Sequence, residues 1–72
     1  MITSRLRVLI AEKESREGRR WGYDDIATET GLSKNTIYKL SNNLTGRVDF
    51  RTLDTLCQFF KCQIGELLSY KP

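Results

Sequence analysis

Between Ser33 and Leu44 the chain collects side chains suited to meeting a polyanion with readable edges: Lys34, Asn35, Tyr38, Lys39 and Asn42. On a helical wheel of ~100° per residue, Ile37, Leu40 and Leu44 fall in one arc within about 60°. Asn35 and Asn42 lie opposite, with Lys34 and Tyr38 to one side and Lys39 to the other. That outer face carries no carboxylate. Asn bonds adenine bidentately, Lys meets guanine or phosphate, and Tyr and Asn donate to phosphate oxygens. The alternative is a plain solvated face. Other chemistry is poorly supplied. The sequence has no His, which removes the usual general base and the commonest metal ligand. Cys57 and Cys62 would need two further ligands to hold zinc, and no third Cys exists. Asp24 and Asp25 are adjacent, so on a helix they diverge by ~100° and cannot share a substrate. No glycine-rich phosphate loop is present, and the serines lack a base to activate them. No catalytic residue, metal or cofactor is expected.

The elements that must hold this face are read from local grammar. One five-residue offset recurs, in which apolar residues bracket a helix cap as a hydrophobic staple. Trp21 and Ile26 flank Gly22; Leu32 and Ile37 flank Ser33; Val48 and Leu53 flank Asp49; Cys62 and Leu67 flank Gln63, with Glu66 placed to complete a capping box. Ser and Asp are strong caps because their oxygens accept from orphan N–H groups, while Gly and Gln are weaker. An earlier helix is signalled by the stripe Ile2, Leu6, Leu9, Ile10 and Lys13, with Thr3 or Ser4 as its cap. The expected helices run at about 4–14, 23–30, 34–43, 50–60 and 64–69, with no strand or hairpin. Gly31 closes the second helix cheaply in the left-handed conformation, and Ser33 opens the third two residues later. Ile26, Leu32, Ile37 and Leu40 supply the wedge between the pair, and Ala27 is small enough for a close crossing. That is the composition of a helix-turn-helix.

Length and charge set the frame. The 72 residues carry 12 Lys+Arg against 9 Asp+Glu, a net +3. Hydrophobic content of 39% with 29% charged residues reads as globular. The excess is uneven: residues 1–47 hold nine basic and six acidic side chains, and residues 48–72 hold three of each. No apolar run suits a signal peptide or a membrane span, and two cysteines make no disulfide scaffold. The expectation is one cytoplasmic domain over 1–72, with no membrane partner and no room for a domain sensing a small-molecule effector.

The block Tyr23-Asp24-Asp25-Ile26-Ala27-Thr28-Glu29-Thr30-Gly31-Leu32-Ser33-Lys34-Asn35-Thr36-Ile37-Tyr38-Lys39-Leu40 resembles the helix-turn-helix of phage repressor/Cro-like (Xre-type) transcriptional regulators. The stretch from Thr52 to Leu68 resembles the fourth and fifth helices of compact members of that family. The resemblance implies an all-α, five-helix, lambda-repressor-like fold with its helix-turn-helix at about 23–43. It further implies a sequence-specific regulator of double-stranded DNA, a repressor, acting as a symmetric homodimer with the helix at about 34–43 in the major groove. Carried over by position, Lys34, Asn35 and Tyr38 read bases, and Lys39 is a further candidate. Thr36 and Asn42 fall where phosphate is touched, beside the cap Ser33. Tyr23 matches a polar contact position, and Arg47 lies near the DNA backbone. Two departures stand out. Gly22 replaces the usual Ser or Thr cap, and the segment from Glu14 to Arg20 is longer than the usual turn.

Several residues carry two readings. Arg16, Arg19 and Arg20 either reach phosphates or form a loop neutralised by Glu14 and Glu17. Trp21 reads as core rather than a stacking platform, and Cys57 as a small buried hydrophobe. Phe50 reads as packing or dimer contact. Phe59, Ile64, Leu68 and Tyr70 would form an apolar patch that a two-fold dimer buries, unless the terminal segment folds back over it. The rival function is a protein-interaction module of the same fold, an antitoxin or adaptor that touches DNA weakly.

Overall fold

A computed structural model describes residues 1–72. The caps expected from the sequence are where the helices start. Ser33 Oγ accepts from Thr36 N at 3.0 Å, and Asp49 Oδ1 accepts from Thr52 N at 3.0 Å. At the two weaker caps the third helical residue reaches back instead: Asp25 Oδ2 accepts from Gly22 N and Glu66 Oε1 from Gln63 N, each at 3.0 Å. The resulting helices are α1 (Leu6–Glu17), α2 (Tyr23–Thr30), α3 (Lys34–Ser41), α4 (Phe50–Phe60) and α5 (Ile64–Leu67). Each contributes to one apolar core. Leu6, Leu9 and Ile10 enter from α1, Ile26 from α2, Ile37 and Leu40 from α3, Leu53, Leu56 and Phe60 from α4, and Leu67 from α5, with Trp21 closing one side.

Three expectations need correction. The first is the expected absence of strands. β1 (Ile2–Ser4) and β2 (Leu68–Tyr70) pair antiparallel, Ile2 opposite Tyr70 and Ser4 opposite Leu68. Ile2 therefore leaves the helical stripe, and α5 stops before Leu68, whose backbone is extended. So short a ribbon is unstable alone. It is held from outside, by Arg5 N donating to Leu67 O at 2.8 Å and Ser4 N donating to Asn43 Oδ1 at 2.7 Å. Ser4 Oγ accepts from Leu6 N at 3.0 Å and so starts α1.

The second correction is the extent of α1. It continues to Glu17, because the first residue able to break it at low cost is Gly18, left-handed at φ 65°. The apparently long turn is mostly helix. Third, Leu44 is not core: it is 60% exposed. α3 ends at Ser41, and Asn43 takes a left-handed φ of 57°, which swings Leu44 off the buried arc.

Candidate nucleic-acid interface

α2 and α3 pack as the wedge composition implies, with Ile26 and Ile37 fully buried between them. This fixes the rotation of α3 and turns Lys34, Asn35, Tyr38 and Lys39 to solvent. Four further expected contacts, Ser33, Thr36, Asn42 and Tyr23, are engaged in holding α3 itself. Ser33 and Thr36 share a hydroxyl–hydroxyl hydrogen bond of 2.7 Å at the cap. Asn42 closes the other end: its Nδ2 donates to Tyr38 O at 2.8 Å, and its Oδ1 accepts from Arg7 Nη2. Tyr23 is half-buried. Its hydroxyl donates toward Ser41 Oγ at 3.0 Å, and its ring meets that of Tyr38 edge-on, with centroids 6.2 Å apart. Tyr23 thus supports the placement of Tyr38.

Beside this face lies a shallow groove. Asn35, Thr36 and Lys39 form one wall, and Thr45, Arg47 and Thr52 form the other. Arg47 is exposed, and its backbone is fixed by Thr45, whose Oγ1 donates to Arg47 O at 2.6 Å and accepts from Arg47 N at 3.1 Å. Asp49 also borders the groove, but its carboxylate is engaged in the cap. The Thr52 hydroxyl, then the Thr52 backbone N–H, hold its pKa below the usual value. Asn35, Lys39 and Arg47 therefore offer donors to one strip of surface.

One contact was not legible in the sequence. Asp24, on α2, reaches Lys34 Nζ at 3.1 Å, so the face does include a carboxylate. Both side chains are mostly exposed, and pairs of this kind contribute little to stability. The pair holds Lys34 loosely and leaves it free to exchange partners. Opposite charges in the first turns of two successive helices were the available signal. From sequence, Asp24 reads only as a carboxylate that diverges from its neighbour Asp25 on the second helix.

The second basic cluster is built differently. Trp21 is 8% exposed. Its backbone N donates to Glu14 Oε2 at 2.7 Å and its indole Nε1 to Glu17 Oε1 at 2.9 Å. Lys13 pairs with Glu17 at 2.8 Å, and the Arg19 guanidinium stacks 3.9 Å from the Trp21 ring centroid. The hydrogen bond from Lys13, and then that from Trp21, hold the Glu17 carboxyl below the usual range. Arg16 and Arg20 remain exposed.

The expected dimer residues separate. Phe59 is half-buried, edge-on to Trp21 at 5.1 Å and to Phe60 at 4.9 Å, beneath Lys13. It belongs to the Trp21 side, where Lys13 of α1 also lies over its ring. Ile64 and Tyr70 are exposed and Leu68 half-buried. Phe50 is 88% exposed.

Residues 5–72 match the family model described as the Cro/C1-type HTH DNA-binding domain. Only the first four residues, which include β1, fall outside the match. No curated protein and no solved structure matches the chain.

Proposed function

The chain belongs to the Cro/C1-type helix-turn-helix DNA-binding domain family, and from that premise we propose that it is a sequence-specific transcriptional regulator whose α3 enters the major groove. The observation that carries the reading is the outer face of α3. Lys34, Asn35, Tyr38 and Lys39 are exposed on a helix whose opposite side, Ile37 and Leu40, is locked in the core. A rigid helix with a donor-rich free face is what base reading needs, since mispositioned donors cannot discriminate edges. Asn35 is assigned to a base, with Lys34, Tyr38 and Lys39 around it. Arg47 is assigned to phosphate, because it rims the groove from a loop rather than projecting from α3. Ser33, Thr36, Asn42 and Tyr23 act first by holding α3, and their outward atoms are left for phosphate.

We read the regulator as a repressor working as a symmetric homodimer. Repression needs only occupancy of a site. A two-fold pair would set recognition helices roughly 34 Å apart, one turn of DNA. Ile64, Tyr70 and the half-buried Leu68 supply exposed apolar surface for that contact.

The test is duplex binding followed over a salt series. Binding should fall steeply from ~50 mM to ~200 mM salt as phosphate contacts are screened. No retardation at ~50 mM salt and micromolar protein would reject the reading and leave the protein-interaction module in its place.

A further inference from the structure

The end of α4 brings together the two cysteines that the nucleic-acid interface does not use. Lys61 stands in the left-handed conformation at φ 53°, and two backbone hydrogen bonds close the helix behind it. Cys62 N donates to Cys57 O at 3.0 Å, and Lys61 N donates to Gln58 O at 3.3 Å. This nested pair is a Schellman motif, with Cys57 at the third position from the helix end and Cys62 two residues beyond the last turn. In that motif an apolar contact frequently joins these two positions. Here both are thiols. The 3.0 Å backbone hydrogen bond holds the two residues side by side, and a disulfide needs their Cα atoms no more than about 7 Å apart.

The pair is also reachable. Both cysteines are free and half-buried, and both line a surface hollow with Gln58, Lys61, Gln63 and Glu66. Their proximity has an electrostatic signature. Burial first, and then the neighbouring Cys57 thiol, push the Cys62 pKa up to about 11.

We propose that Cys57 and Cys62 form a redox-active dithiol that closes to an intramolecular disulfide by exchange with a small disulfide of the glutathione class. One thiol, deprotonated, attacks the disulfide, forms a mixed disulfide and expels one glutathione thiolate. The other protein thiol, after losing its proton, attacks the protein sulfur of that mixed disulfide and expels the second glutathione. Two protein thiols are oxidised and one disulfide is reduced to two thiols. Because Cys62 keeps its proton at neutral pH, closure is slow there and accelerates as pH rises. The bridge would pin the corner between α4 and α5. Cys62 and Leu67 staple that corner, and Leu67 O accepts the hydrogen bond from Arg5 that anchors the ribbon.

The experiment incubates the folded chain with excess oxidised glutathione, quenches with an alkylating agent and reads the intact mass. The expected product has lost two hydrogens, retains no glutathione and resists alkylation at both cysteines until reduced. The Cys62→Ser variant should instead stop as a stable glutathione adduct on Cys57, having no neighbour to resolve it. Glutathione retained on the unmutated chain, or two alkylatable thiols after incubation, would overturn the proposal. Both readouts are made on the unmutated protein, so a variant that fails to fold does not blur them.

Discussion

The two basic regions differ in what their side chains are already doing. Around Trp21, Lys13 and Arg19 lie over aromatic rings, and Glu14 and Glu17 hold the indole and its backbone. On α3, Asn35, Tyr38 and Lys39 project into solvent, and Lys34 alone has a charged partner. Local positive charge is richer in the first region. Yet a cation stacked on an indole and backed by carboxylates contributes to folding, and it would have to give up those contacts to reach a phosphate. The lesson is that partner recognition is better judged from uncommitted donors on a rigid element than from the count of basic residues. Net charge still matters, through long-range attraction to a polyanion.

The contrast can be broken most severely at Trp21. Trp21→Ala should cost about 3–5 kcal/mol, a large share of the roughly 4–11 kcal/mol available to a chain of 72 residues. Urea denaturation would register it as a collapse of the midpoint. Asn35→Ala should leave that midpoint unmoved and cost about 1–3 kcal/mol of discrimination at one or two base pairs, read by competition binding. Loss of stability from Asn35→Ala, or loss of base preference alone from Trp21→Ala, would mean that the two regions had been assigned the wrong way round. Arg19→Ala should lower stability by about 0.5–1 kcal/mol, the worth of an exposed cation–π contact, and leave base preference intact.

Smaller effects sharpen the picture. Asp24→Asn frees Lys34 and removes a negative charge from the face, so binding to all duplexes should tighten together, by up to about 1 kcal/mol. Fluorescence anisotropy on specific and random duplexes would show whether the gain is uniform. Acid should act on the scaffold side. Glu17 and Asp49 have folded pKa values below their ordinary ones. Their contribution is therefore present above the ordinary carboxylate range near pH 4 and is lost as pH falls through and below it. The melting temperature by circular dichroism should drop between pH 6 and pH 3 and stay flat between pH 6 and pH 8.

How far the sequence carries this picture depends on locality. The helix starts at Tyr23, Lys34, Phe50 and Ile64 follow from caps and staples that span five residues, and the structure places all four as expected. The buried and open sides of α3 follow from its periodicity up to Leu40. The misread elements depend on something beyond that range. The ribbon pairs residues 2–4 with 68–70 and needs Asn43 and Leu67 to hold it. Three-residue strands leave no alternation to detect. Leu44 is lost to the core because of a single left-handed residue, Asn43. Phe59 and Phe60 both find aromatic contacts because Trp21 arrives from another segment to meet Phe59. At the interface, the exposed donors were legible, but the Asp24–Lys34 pair required knowing which first turns face each other.

Whether the free face of α3 reads bases is decided by selection of bound duplexes from random DNA with the unmutated chain and with Asn35→Ala in parallel. The unmutated chain should yield an enriched motif, and the variant the same motif with preference lost at one or two positions. Identical motifs from both proteins, or no motif from the unmutated chain, would contradict base reading by that face.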